Sequence, residues 1–323
     1  MSKNNIEIEL VKAQEFYKVR KYSKAIEIYD NCYADDFDKF SKWDRLYYAW
    51  GLYYTGIKNF KNYRDLMEIA EKILSLVSQA DTCKSDLPCP YTSTVFFILK
   101  YYANRNKFEN VIEWSKKLNY RLLSKSPVKF NGIEYPSYRE KWYSFISKAL
   151  LKNEDYEDSI TVSEKALSDL DEFYGDNDIW FKFRIAKAKK ELGDFDIAIS
   201  YLIAILDFKS EWFIEYELSD NYFLKANYDE SLNFAFKAAL NKGPSIMKTK
   251  LYLLISDLLE SKSMYKKAND HLYLIFALKK EHSFFIDQSL EEQLKQQNYD
   301  LKNFDSKNIE NELRKYWKSS IVN

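Results

Sequence analysis

The sequence predicts an all-α chain of stacked helix pairs, and three observations carry that expectation. Gly and Pro, at 6 and 5 in 323 residues, are too scarce to punctuate the many tight turns of sandwiches, barrels or doubly wound sheets. Aromatic residues recur along most of the chain, each followed three residues later by a small or short side chain. The apolar residues around them follow the 3.6-residue period of an amphipathic helix.

The aromatic anchors are Tyr22, Phe108, Tyr156, Phe195, Tyr228 and Tyr265, and the last three intervals are 39, 33 and 37 residues. Self-similarity at such a period is the mark of a repeat array, whose two-helix units must stack to bury their faces. The clearest copy is residues 185–206, where Ile185, Ala186, Lys189 and Leu192 mark one helix and Ile197, Tyr201 and Ile205 the next. Gly193-Asp194 and Ala226-Asn227 read as the short turns inside such pairs. The first interval, 86 residues, holds a further degenerate unit with WGLYY at 50–54 and RDLMEIAEKIL at 64–74, giving seven pairs.

Two segments fall outside the period. Residues 79–93, with two prolines and two cysteines, and residues 124–138, with Pro127, Gly132 and Pro136, read as loops between pairs. Past Lys280 the pattern weakens, so the expected division is a repeat array over 1–280 and a C-terminal region over 281–323. In that region SLEEQLKQQ (289–297) is expected to form a capping helix, and 308–323 an amphipathic helix with Leu313 and Trp317 that docks on the last pair.

These positions resemble the tetratricopeptide repeat family over roughly residues 5 to 280. The small residue of the family's helix A falls on Ala13, Gly51, Ser147, Ala186, Ser219 and Ser256. The early helix-B position falls on Ala25, Val111, Ser159, Ala198, Ser231 and Ala268, and the late one on Cys32, Leu118, Ala166, Ile205, Ala238 and Ile275. Small side chains here let two helices approach within about 8–10 Å. Lys189 and Leu99 depart from the pattern, an aromatic and a small residue being expected there. The resemblance implies a right-handed superhelical solenoid with helix A of each unit on an inner, concave surface. That surface would carry Lys100, Lys141, Lys148, Lys152, Arg184, Lys187 and Lys190 in its middle, and Asp220, Asp257 and Glu260 toward the C-terminus. Trp180, Phe183, Phe213, Tyr216 and Phe223 would stand beside the cations.

Several function classes are disfavoured by composition. Lys plus Arg equals Asp plus Glu, 49 each, so the molecule as a whole has no field to attract nucleic acid or an anionic membrane. No stretch approaches eighteen apolar residues, Glu7 and Glu9 interrupt any secretory-type start, and three cysteines suit a reducing compartment, so a cytoplasmic protein is expected. Abundant Lys, Asn, Tyr and Ile point to an AT-rich, bacterial genome. Glycines at 51, 56, 132, 175, 193 and 243 are too scattered for a phosphate-cradling loop. His271 and His282 form no HExxH pair, and His271 reads as a satisfied interface residue. Cys83 and Cys89, around Pro88, read as loop cysteines, since half a zinc site lacks its other ligands. Asp178 reads as a helix N-cap.

The expected function is therefore a non-catalytic scaffold or adaptor without cofactor or metal, holding a protein or peptide segment, acidic or ending in a carboxylate, in the groove. The residues expected to hold it are Lys100, Lys141, Lys148, Trp180, Phe183, Arg184, Lys187, Lys190, Phe213 and Tyr216. The alternatives are a peptide-responsive sensor acting by protein contact and, against the zero net charge, a single-stranded nucleic-acid-binding protein.

Overall fold

The computed structural model describes residues 3–82, 88–130 and 132–321. Seven helix pairs follow one another: α1 (Lys3–Lys18) with α2 (Tyr22–Asp35), and α3 (Lys42–Thr55) with α4 (Tyr63–Leu76). After the single turn α5 (Gln79–Thr82) come α6 (Pro90–Ala103) with α7 (Phe108–Ser115) and α8 (Tyr138–Lys152) with α9 (Tyr156–Asp169). Next are α10 (Asn177–Glu191) with α11 (Phe195–Leu206), α12 (Trp212–Leu224) with α13 (Tyr228–Leu240), and α14 (Thr249–Ser261) with α15 (Tyr265–Glu281). Two single helices, α16 (Gln288–Gln296) and α17 (Ser306–Ser320), complete the chain, which is all-α and of the tetratricopeptide-repeat kind.

Every aromatic anchor is the first residue of its second helix, and the reason lies two residues earlier. Arg20, Asn106, Glu154, Gly193, Ala226 and Ser263 all have φ between 54° and 83°, the left-handed region. The residue after each sends its N–H back to a carbonyl five residues before it, as in Lys21 to Phe16 at 2.9 Å, Asp194 to Lys189 at 2.9 Å and Met264 to Leu259 at 2.9 Å. This is the Schellman closure, which satisfies carbonyls that a helix end leaves orphaned and reverses the chain in two residues. Only one of the six positions is glycine, so five turns hold a side chain where L-residues are strained. The degenerate second unit turns differently, through Gly56 and a 3-10 turn over Ile57–Asn59.

Small residues then set how closely the two helices lie. Ser147 and Ser159, Ser219 and Ser231, and Ser256 and Ala268 are each twelve apart, all buried, and joined directly across the pair. The hydroxyl of Ser159 donates to the Ser147 carbonyl at 2.9 Å, those of Ser219 and Ser231 donate to each other's carbonyls at 2.8 Å, and that of Ser256 to the Ala268 carbonyl at 3.1 Å. Ala13 with Ala25 and Ala186 with Ala198 repeat the spacing without the hydroxyls, and Leu99 with Val111 fills it with branched side chains, all of them buried. Cys32, Ala166, Ile205, Ala238 and Ile275 are buried at the late helix-B position, whereas Leu118, expected there too, is buried beyond the end of α7 at Ser115.

The segment 124–138 is not a plain loop. Val128–Phe130 (β1) and Ile133–Tyr135 (β2) pair antiparallel, with Lys129 opposite Glu134, and Gly132 takes φ 76° in the turn. Asn131-Gly132 is the residue pair that tight hairpins prefer, a signal the loop reading passed over. Asp178 is likewise inside the first turn of α10 rather than its cap, where its carboxylate still faces the positive end of the helix dipole.

The chain divides into two compact units, Met1–Asp178 and Ile179–Asn323. In the first, one core runs through Tyr29, Tyr48, Leu66, Ile73, Ile98 and Val111. In the second, one cluster gathers Ile199, Leu202, Ile205, Ile214 and Leu218, and another gathers Phe236, Tyr252, Ile255, Leu272 and Phe276 with Leu313 and Trp317 of α17. α17 lies against α13 and α15, with Trp317 fully buried. Its indole stacks on Tyr252 at 5.7 Å and 12°, and the indole N–H donates to His271 Nε2 at 2.8 Å. His271 Nδ1 stands 2.7 Å from the Lys267 carbonyl, so Nδ1 carries the proton and Nε2 accepts, which fixes a neutral imidazole. Burial pulls the His271 pKa down to about 4, against smaller effects of Lys267 and Asp270. Arg314 donates to the Leu240 carbonyl at 3.0 Å, and the Asp305 side chain caps the N-terminus of α17.

Two predictions follow from the turns and from α17. Ala226→Gly should stabilise the protein by about 1 kcal/mol, because glycine relieves the left-handed strain, while Gly193→Ala should lose a similar amount; urea midpoints measure both. Since His271 is held neutral when folded, the unfolded chain takes up its proton first as pH falls. Stability should therefore be full above about pH 6.5 and fall toward pH 4, by on the order of 3 kcal/mol at about 1.4 kcal/mol per unit. Urea titrations between pH 7 and 4 should show that slope in the native protein and a much smaller one in His271→Leu.

Candidate binding surface

In the first unit, α6 and α8 face one another across an open groove of about 610 Å³. Phe96, Lys100 and Ala103 succeed one another on one face of α6, at the spacing of successive turns. On α8, Tyr138, Lys141, Phe145 and Lys148 do the same. α8 is started by Ser137, whose hydroxyl accepts from the Glu140 N–H at 3.0 Å, and α6 by Cys89 with Pro90 at its first position.

The aromatic floor is ordered. Phe96 stacks on Tyr138 at 5.8 Å and 27° and meets Phe145 at 6.2 Å. The Lys141 ammonium stands 5.0 Å from the Tyr138 ring centroid and 5.9 Å from that of Tyr135 on β2. Burial lowers its pKa, with Glu140 acting in the opposite sense. Lys100 and Lys148 are exposed. Among the described residues no carboxylate lies within ion-pair distance of Lys100, Lys141 or Lys148. Glu140 also lines the groove, but its carboxylate accepts from the Tyr174 N–H at 3.1 Å and the Asn177 amide at 2.5 Å, and burial raises its pKa.

The remaining expected site residues belong to the second unit and form a different arrangement. Trp180 stacks on Phe213 at 5.8 Å and 21°, and Phe183 meets Phe213 edge-on at 5.7 Å. Lys187 and Lys190 of α10 both reach the buried Glu217 of α12, at 2.5 and 2.9 Å, and Lys190 also reaches Asp220 at 2.7 Å. Despite its burial, Glu217 is held below the ordinary carboxylate pKa by these two ammonium groups. Lys190 is raised, its carboxylate neighbours outweighing desolvation. Arg184 lies over the Phe181 ring at 5.1 Å, and burial lowers its pKa to about 10. Tyr216 is half-buried, its pKa pushed up to about 12, first by burial and then by Asp220 and Glu217.

Of the expected residues, Lys100, Lys141 and Lys148 thus line the first-unit groove, together with Phe96, Tyr138 and Phe145, which were not among them. Phe96, Tyr138 and Phe145 share the helical spacing of Lys100, Lys141 and Lys148, which was the signal available. Cys89 takes part in a disulfide and is not a plain loop thiol; Cys83 lies outside the described residues. Among the described residues no group of three or more His, Cys, Asp or Glu is placed to hold a metal ion, and no helix is long and apolar enough to cross a membrane.

The arrangement of turns, paired helices and small-residue contacts defines a tetratricopeptide-repeat fold, and comparison with known proteins agrees. The C-terminal part of a TPR repeat-containing protein from Cytophaga hutchinsonii is similar at 13% identity and TM-score 0.51, over 88% of this chain and 99% of that one. A tetratricopeptide repeat protein from Parabacteroides merdae ATCC 43184 is similar at 12% identity and TM-score 0.43, over 90% and 98%. MamA (41-end) from Desulfovibrio magneticus RS-1 is similar at 15% and 0.46, over 59% and 96%. At such identities the likeness is one of fold alone. A family model described as Domain of unknown function (DUF7017) matches residues 179–319, less than half of the chain and starting where the second unit starts. No curated protein matches the sequence.

The ion-pair cluster in the second unit gives a stability prediction. Glu217→Gln leaves Lys187 without a carboxylate and Lys190 with Asp220 as its close partner, and should cost about 2 kcal/mol in urea denaturation. The isolated surface pair Arg64 with Glu68, by contrast, should tolerate Glu68→Gln with an unchanged urea midpoint.

Proposed function

We propose that the chain is a non-catalytic protein-interaction scaffold that takes an acidic peptide segment of a partner into the groove between α6 and α8. The observation that carries this reading is the charge inventory of that groove: three lysines interleaved with three aromatic rings, and no carboxylate of the described residues paired with them. On α10 of the second unit, by contrast, Lys187 and Lys190 are paired internally on Glu217. An acidic segment laid along α6 and α8 gains charge complementarity from Lys100 and Lys148 and apolar burial against Phe96 and Phe145. Lys141, partly desolvated over Tyr138, supplies the ammonium whose pairing gains most from exclusion of water. The exposed hairpin beside the groove, with Ile133 56% and Tyr135 39% accessible, extends the apolar contact.

The test uses a fluorescein-labelled peptide of alternating Glu and Phe and the full chain. The native protein should bind it saturably, with affinity falling as salt rises. Lys100→Glu combined with Lys148→Glu should weaken binding at least tenfold, about 1.4 kcal/mol, with thermal stability unchanged. Binding that is indifferent to that double reversal would remove the groove from the function.

A further inference from the structure

A second opening in the first unit, of about 690 Å³, lies at the C-terminal end of α4 and is lined on its α3 side by Lys42 and Arg45. The rest of its wall is mixed, apolar at Phe40, Leu74, Leu76 and Val77 and polar at Ser75, Ser78, Gln79 and the Tyr91 hydroxyl. A volume of this size suits a small ligand.

Arg45 is the unusual member. Its guanidinium carbon stands 4.4 Å from the Phe37 ring centroid, so a cation–π contact fixes the group in place. Its Nε is buried and has no hydrogen-bond partner, and among the described residues no carboxylate lies within ion-pair distance of the guanidinium. A guanidinium has five donors and no acceptor, and a buried donor left unmade costs about 1–3 kcal/mol. The polar neighbours already have other partners. Asp44 accepts from Ser41 and from the Gln14 amide at 2.9 Å; Gln79 exchanges hydrogen bonds with the Asn119 backbone at 2.7 and 3.0 Å. The Tyr91 hydroxyl donates to the Lys117 carbonyl at 2.9 Å, and that of Ser75 to the Lys72 carbonyl at 2.7 Å.

We propose that this opening binds a small organic monocarboxylate with an apolar body, its oxyanion on Arg45 and its apolar part against Phe40, Leu74 and Val77. The planar guanidinium fork matches a carboxylate, and the exposed Lys42 adds a second positive charge at the rim. Orientation follows from α4, which ends at Leu76 with Val77 extended: the negative end of its dipole disfavours an anion there and leaves the α3 side for the oxyanion. One guanidinium and one exposed ammonium beside a partly apolar wall suit a monoanion better than a phosphate dianion. This inference is independent of the proposed peptide groove, whose residues line a different opening.

Isothermal titration of the full chain with octanoate tests it, with octan-1-ol and inorganic phosphate as comparison probes. The native protein should bind octanoate saturably, and the alcohol and phosphate at least tenfold more weakly. Arg45→Met, which keeps an unbranched stem on Phe37, should lose at least tenfold in octanoate affinity. If that variant does not fold, Arg45→Lys, which keeps the charge but not the fork, should still lose several-fold. Octanoate should not displace the acidic fluorescein peptide. Absence of saturable octanoate binding, native affinity in a folded Arg45 variant, or phosphate or octanol binding as tightly as octanoate would each overturn the proposal.

Discussion

The close approach of two helices at positions twelve residues apart is the constraint on which the rest of the structure depends. Where Ser219 and Ser231 meet, each hydroxyl donates to the other's backbone carbonyl, a distance available only when neither residue carries more than one heavy atom beyond Cβ. That contact fixes the separation of the helices, and the left-handed residue between them fixes the reversal. Together they leave little freedom for the pair's geometry, so the same anchor residue can serve as the first position of α2, α7, α9, α11, α13 and α15. Of the anchor rings, those of Tyr22, Phe108, Tyr156 and Phe195 are half-buried, while those of Tyr228 and Tyr265 are exposed.

This explains why the fold was legible while some of its details were not. A period of aromatic and small residues reports a backbone constraint, and backbone constraints repeat; hence the six anchors and the seven pairs could be read from residue types, and the small helix-A and helix-B positions followed from the family resemblance. Leu99 with Val111 shows the limit of the rule, since two branched side chains occupy the same contact and remain buried. The hairpin at Val128–Tyr135 follows no repeat and announces itself only through Asn131-Gly132. The left-handed conformation of the turns was only partly legible: Gly193 and Asn106 are residues that favour a positive φ, while Arg20, Glu154, Ala226 and Ser263 are not.

Charge was the least legible property. On α10 the spacing of Lys187 and Lys190 suggests an open basic face, yet their carboxylates come from α12, some thirty residues further on. A helical period tells which residues share a face but not what faces them. Lys100, Lys141 and Lys148 carry the same sequence signature as Lys187 and Lys190, and only the partner helix distinguishes the two sets. The aromatic floor beneath the first set was missed for a related reason: at helical spacing, Phe96 and Phe145 are indistinguishable from core residues until the neighbouring helix is in place.

The end of the array poses the opposite problem, since a repeat relies on the next unit to cover its face and the last pair has none. Here α17 lies across α13 and α15, and its buried contact is polar at one point: the Trp317 indole N–H must find an acceptor inside an apolar cluster. A neutral His271 supplies it because Nδ1 is already committed to the Lys267 carbonyl, which leaves Nε2 as a lone-pair acceptor. A protonated imidazole would place two donors face to face where both side chains are fully buried, so the contact that closes the array also specifies a protonation state. Tryptophan, histidine and the Lys267 carbonyl thus act as one unit, and α17 is tied to this surface by a directional bond as well as by apolar burial.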